Sequence, residues 1–236
     1  LDVDPVQIRT AVGMGAGLAF NAHQGTHGPR GLQRPRDSQG PADSEPRIVL
    51  IAVPPLAAPE SIAAACARFP DATITDVSSV KAPVLEAAAE RGADMARVVG
   101  GHPMAGREVS GAAGARADLL DDRWWLLTPG PLTEPGRVEA VRRLAQTCGA
   151  VAAELSPQEH DRAVALVSHA PQVLSSILAA QLVQAQPAYV QIAGQGLRDM
   201  TRIAGSSSGL WTEILAANAK DLAGFSGTSA FRDRLM

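Results

Sequence analysis

The 236-residue chain has five histidines, and one of them, His102, stands in GGHPMAGREVSG (100–111). Gly100 and Gly101 precede it and Pro103 follows it. Glycines let a ligand approach the backbone closely, and proline fixes the direction in which the chain leaves. An imidazole with a free pKa of about 6.5 suits proton transfer in such a place. The competing reading is a loop histidine bonded to a carbonyl.

Three other groups of residues have types and spacings suited to chemistry. DVSSVK (76–81) ends a strand and opens a helix. One of Ser78 and Ser79 fits the N-cap, which leaves the other hydroxyl to hold an imidazole or a substrate oxygen. Lys81 reads as an ordinary first-turn residue. Further on, Asp161, Ala165, Ser168 and Gln172 recur at helical spacing and form a polar stripe, with His169 beside it. Such a stripe faces a wet pocket or a hydrogen-bonded seam between helices. Arg198 and Arg202 share one helical face, which suits a carboxylate ligand or a solvated surface.

A partial nucleotide-binding motif lies in VGMGAGLAF (12–20), where Gly13, Gly15 and Gly17 fall short of a complete fingerprint, because the sixth position is Leu18. Asp37 has the spacing of the expected acid but sits in RPRDSQG, which is no strand. Residues 21–46 are polar and rich in Gly and Pro, and they read as a loop.

The elements that must position these residues follow from the apolar pattern. RIVLIAV (47–53), ATITDV (72–77), RVVG (97–100), WWLLTPG (124–130) and AVAAEL (150–155) read as strands. Helices are expected from Pro59 to about Phe69, over 80–92 and over 135–149. The alternation predicts an α/β fold, a Rossmann-like, mostly parallel sheet whose amino end leaves the fingerprint incomplete. Ligands bind beyond the carboxyl ends of such strands, where DVSS and GGHP fall. From about residue 157 the strands stop. Residues 160–184 form a long helix, apolar on nearly every side and kinked at Pro171, with further helices over 196–205 and 210–225. This predicts an all-α domain buried in a subunit interface. The expected division is 1–130 for the nucleotide-binding part and 131–236 for the helical part.

Composition excludes several classes. Lys plus Arg is 21 against 24 Asp plus Glu, with no basic stripe, which argues against nucleic acid. No apolar run reaches the roughly 18 residues of a membrane span, and no leader follows Leu1, so a cytoplasmic protein is expected. Cys66 and Cys148 stand singly, which predicts neither a disulfide framework nor a metal site.

Taken together, AVP (52–54), DVSSVK, GGHPMAGREVSG, LTP (127–129), EHDRAVALVSHAP (159–171), GLRDMTRIA (196–204) and LWTEILAAN (210–218) resemble the prephenate/arogenate dehydrogenase family of tyrosine biosynthesis. The resemblance covers roughly residues 47–220. It implies oxidative decarboxylation of prephenate to 4-hydroxyphenylpyruvate with NAD or NADP, or of arogenate to tyrosine, by a homodimer with a helical dimerisation domain. It places the catalytic histidine on His102 and its supporting serine on Ser79. The ring carboxylate would meet Arg202, with His169, Arg198, Asp161 and Glu108 lining or gating the pocket. Trp211 falls on a position near a neighbouring subunit's pocket. Gln172 stands where some members carry a histidine that reads the substrate's side chain, so keto acid and amino acid remain alternatives. Gly13, Gly15, Pro54 and Ser78 are the expected cofactor contacts. The second class of function is a dimeric relative that binds such acids without turning them over.

Overall fold

The computed structural model describes residues 46–106 and 115–226. One sheet contains, in spatial and chain order, β1 (Ile48–Ile51), β2 (Thr73–Asp76), β3 (Val98–Pro103), β4 (Trp124–Pro129) and β5 (Val151–Glu154). Only β3 and β4 are antiparallel, and the other neighbouring pairs are parallel. The mostly parallel sheet expected from the sequence is therefore present.

Strand periodicity puts adjacent residues on opposite faces. Val98 packs with Ile51, Ile74, Ile62 and Leu85, under α1 (Ala58–Arg68) and α2 (Ala82–Glu90). Val99 packs instead with Trp125, Leu127, Val141 and Ala145, under α3 (Pro135–Thr147). Each of these helices has a proline in its first two positions, where the missing N–H removes no helical bond. Because α3 and β5 complete this sheet, the sheet domain runs to Glu154 and the division expected at residue 130 moves accordingly.

β3 also extends further than expected. It carries the chain through His102 and Pro103, which pair with Leu126 and Trp125. The two glycines are needed by the protein's own packing. A Cβ on Gly101 would lie 2.6 Å from the Asp76 carbonyl oxygen, and one on Gly100 would collide with the Thr128 hydroxyl.

The helical part begins with one rod made of α4 (Pro157–Val164), a π-helical turn (Ala165–His169) and α5 (Ala170–Val183). The π turn lies just before Pro171, whose ring and missing N–H disturb the regular ladder there. It changes the expected stripe. The buried polar positions are His160, Asp161, His169, Gln172 and Ser175, and Ser168 is only half-buried. The rod is also long and apolar enough to cross a membrane by length and composition, which corrects the sequence expectation. His160, Asp161, His169 and Gln172 bond to other parts of the protein, as described below, and this fits a rod covered by protein. In the single chain the cover is one-sided: Leu166, Val167, Leu174, Ile177 and Val183 are exposed, so burial on every side is not what one copy provides.

The rod is followed by α6 (Pro187–Gln191), α7 (Gln195–Thr201), a 3-10 turn (Arg202–Gly205), α8 (Ser208–Ala217) and α9 (Ala219–Ser226). The single helix expected over 210–225 is broken at Asn218, whose buried side chain turns inward to partners on the rod.

Candidate active site

The carboxyl ends of β1, β2 and β3 bring three stretches to one edge of the sheet. Pro54, after β1, is exposed and its carbonyl accepts bonds from Ala57 and Ala58 as the chain turns into α1. After β2, the turn 77–81 carries Ser78 and Ser79. His102 lies near the end of β3 and is 8% exposed. Just past β3 an open cleft of about 440 Å³ is walled by Met104, Ala105, Arg116 and Arg123, among others.

The start of α4 is set by its sequence. Ser156 and Glu159 form a capping box, with Pro157 in the first turn. That cap places His160 and Asp161 on the side facing β3 and α2. His160 is fully buried, and its Nε2 lies 2.8 Å from His102 Nδ1. Its other ring nitrogen, Nδ1, is 2.8 Å from Asp161 Oδ1.

Asp161 is also the cap of α2. Its Oδ1 accepts from Lys81 N and its Oδ2 from Ala82 N, both at 2.8 Å. The carboxylate satisfies backbone donors that the first turn leaves open and sits at the favourable end of the helix dipole. The cap expected from Ser78 or Ser79 is therefore supplied from the other domain. Ser78 is buried, and its hydroxyl bonds Asp76 and the Val80 carbonyl. Ser79 is half-buried, and among the described residues no hydrogen bond joins it to His102, whose ring partner is His160.

Lys81 is no ordinary first-turn residue. It is fully buried, pairs with Asp76, and donates to the Gly101 carbonyl at 2.7 Å and to Ser78 Oγ at 3.1 Å. Burial pulls its pKa down, and the neighbouring Asp76 opposes that. Asp76 in turn accepts the Gly101 N–H at 3.2 Å. The lysine and the aspartate thus hold both backbone groups of the residue preceding His102.

Burial is the main reason that the His102 pKa lies well below its ordinary value, with His160, Lys81 and His169 adding to it. His160 is lowered by burial as well, against the pull of its bond to Asp161. His169 is lowered to about 4, again chiefly by burial. All three rings are thus held neutral.

The remaining expected residues lie on the helical part. Asn218 donates to the Asp161 carbonyl at 2.8 Å and lies 3.0 Å from His169 Nδ1. Trp211, half-buried, meets the His169 ring edge-on at 5.9 Å within the same chain. Gln172 is buried and its amide donates to the Ile203 carbonyl at 3.1 Å and to Ser176 Oγ at 3.3 Å. It thereby holds the 3-10 turn on which the exposed Arg202 sits, with exposed Arg198 one turn earlier. Glu108, Gly13 and Gly15 lie outside the described residues.

Sequence reading missed His160, Asn218, Asp76 and the role of Lys81. The signal for His160 was present: S-P-Q-E at 156–159 is a capping box, and it fixes the phase of the HD pair that follows.

Fold and site together define a two-domain α/β protein with a neutral histidine at strand carboxyl ends, braced by a helical domain. Comparison with known proteins makes this specific. Residues 30–154 match the model of the prephenate dehydrogenase nucleotide-binding domain, and residues 156–228 match that of the prephenate dehydrogenase dimerization domain. The chain belongs to the prephenate dehydrogenase family. It is 32% identical over 225 residues to a Streptomyces niveus protein named "Probable prephenate dehydrogenase NovF", covering 95% of this chain and 57% of the relative. It is 38% identical over 148 residues to the prephenate dehydrogenase of Bacillus subtilis, covering 61% of this chain and 40% of the relative. The chain therefore spans about half the length of these curated relatives. The crystal structure of the A. aeolicus prephenate dehydrogenase in complex with hydroxyphenyl propionate and NAD+ matches with a TM-score of 0.80 and 27% identity, over 99% of this chain and 77% of that one.

Proposed function

We propose that this protein catalyses the NAD(P)-dependent oxidative decarboxylation of prephenate to 4-hydroxyphenylpyruvate, in tyrosine biosynthesis in the cytoplasm. The observation that carries this reading is the neutral imidazole of His102 at the carboxyl edge of the parallel strands, with its Nδ1 engaged by His160. Among the described residues its Nε2 has no hydrogen-bond partner, which suits a base.

The exposed turn after β1, at Pro54, and the adjoining ends of β2 and β3 fit a dinucleotide laid along that edge. NAD or NADP supplies, when bound, the acceptor for the hydride leaving the ring carbon. His102 Nε2 takes the proton of the ring hydroxyl as that carbon becomes a carbonyl carbon. The bond to the ring carboxylate then breaks, carbon dioxide leaves, and its electron pair makes the ring aromatic. His102 returns its proton to the ring oxygen, so the histidine ends as it began. Arg202, held through Gln172, anchors the ring carboxylate until it departs. Ser79, half-buried beside this edge, contributes a hydroxyl to the substrate side, and Glu108, His169 and Arg198 belong to the pocket lining.

The exposed apolar residues of the rod, Leu166, Val167, Leu174 and Ile177, support a homodimer in which a second copy covers them. Trp211 belongs near that seam.

The test is the purified chain with NAD or NADP and either prephenate or arogenate, followed by absorbance of the reduced cofactor and by carbon dioxide release. Both signals are expected to rise together with prephenate. Turnover of arogenate alone would shift the substrate to the amino acid. No signal with any of the four pairs would reject the dehydrogenase reading in favour of a binding protein.

A further inference from the structure

His160 and Asp161 make no appearance in the proton transfer itself, yet they are buried at 0% and 1% exposure and lie in line with His102. Two buried imidazoles in contact are uncommon company, since a charge on one disfavours a charge on the other. The arrangement has a direction. Both Asp161 oxygens accept backbone N–H bonds from the start of α2, so toward His160 the carboxylate acts as an acceptor. The proton of neutral His160 therefore sits on Nδ1, where it donates to Asp161. Its Nε2 is left as an acceptor, and the 2.8 Å contact with His102 Nδ1 requires His102 to donate there. A neutral imidazole that donates from Nδ1 has its lone pair on Nε2.

We propose that His160 is a positioning residue that fixes the tautomer of His102, with Asp161 orienting His160. This rests on the reading of His102 as the base. Free neutral imidazoles favour the proton on Nε2, which would leave the base facing substrate with no lone pair. The relay reverses that preference. It also joins the domains, because the carboxylate that sets its direction caps a helix of the sheet domain from a helix of the other. The logic matches the aspartate of a catalytic triad, which holds a histidine in one tautomer without itself taking the proton.

The direct test is nitrogen-15 NMR of the full chain with labelled histidine, the His102 signals being assigned by their loss in His102→Asn. The expected result is a protonated Nδ1 and a bare Nε2 on His102 at neutral pH. In His160→Leu, the proton should move to Nε2, and kcat should fall by roughly tenfold or more while KM stays within about twofold. His160→Gln can place its carbonyl oxygen where the ring Nε2 stood. It should keep the Nδ1–H tautomer and most of kcat, a rescue that a merely structural role would not predict. A proton on His102 Nε2 in the unmodified protein overturns the proposal, and so does a His160→Leu enzyme with unchanged tautomer and kcat. If His160→Leu does not fold, the unmodified spectrum and the Gln variant decide. A protein that turns over neither substrate defeats the dehydrogenase reading, whereas the tautomer still decides the relay.

Discussion

The ammonium of Lys81 and the carbonyl oxygen of Gly101 are 2.7 Å apart, in the interior, one residue before His102. The first turn of α2 thus grips β3 where the strand presents its histidine. Asp76 neutralises the ammonium and accepts the Gly101 N–H, so one ion pair satisfies both backbone groups of a single residue.

Breaking that pair by removing one partner leaves a charge in a dry place. Lys81→Met should therefore cost about 3–5 kcal/mol of folding stability, read as a lower urea midpoint. The double variant Lys81→Met with Asp76→Leu should recover part of the loss, because neither charge of the pair is then left unpaired. A single variant as stable as the parent would show that the pair does not hold the strand.

Activity should keep its plateau to unusually low pH. The base must be neutral, and burial together with His160, Lys81 and His169 holds the His102 pKa well below 6.5. The acid limb of kcat/KM should lie below pH 6.5, and the rate should be nearly flat from there upward. His102→Asn should lower kcat by about 10²–10⁴-fold with substrate affinity nearly unchanged. An acid limb centred above 6.5, or a variant defective only in binding, would remove His102 from the reaction.

Much of this was legible in the sequence, and the part that was not has physical causes. The strands followed from short apolar runs, and the site's edge followed from where those runs end. His102 could be singled out by its glycines, but spacing alone did not show that they make room for Thr128 and Asp76. The partners of His102 were not legible, because they come from a helix 58 residues away in the chain. Nor could local spacing show that Asp161 caps α2, a bond spanning 80 residues. The serines at 78 and 79 looked like caps because capping is usually local. The polar stripe failed at Ser168 for a related reason. A π turn inserts an extra residue per turn, so His169 takes the buried place that regular helical spacing gives to Ser168.

Acid should unfold the protein early. His102, His160 and His169 are lowered in the folded state, His169 to about 4. In the unfolded chain they titrate near the ordinary value of about 6.5. Below that value the unfolded chain binds protons that the folded chain refuses, so stability rises with pH through the window. It is full above about pH 6.5 and is lost as pH falls toward 4. Thermal midpoints measured at pH 7.5, 6 and 5 should fall in that order. His169→Gln should flatten the dependence, since one of the three refusing groups is gone. An equal slope in that variant would assign the acid sensitivity to other groups.

Gln172 should act on substrate binding through Arg202 rather than by touching the substrate's side chain. Its amide is already given to the Ile203 carbonyl, on the turn that carries the arginine, and it is 3% exposed. Gln172→Leu removes this bond between the rod and the turn, leaving the Ile203 carbonyl only the Ser206 N–H within the turn itself, and the turn should loosen. KM for the acid should rise a few-fold, up to about tenfold, corresponding to the roughly 0.5–1.5 kcal/mol of one lost hydrogen bond, with kcat little changed. Arg202→Lys should raise KM at least as much, because a point charge cannot grip both carboxylate oxygens. The decisive measurement is the double variant. If the glutamine works only by placing the guanidinium, adding Gln172→Leu to Arg202→Lys should cost little more, giving a large coupling energy. Fully additive losses would mean that Gln172 meets the substrate on its own account, and the selection between keto acid and amino acid would then belong to it.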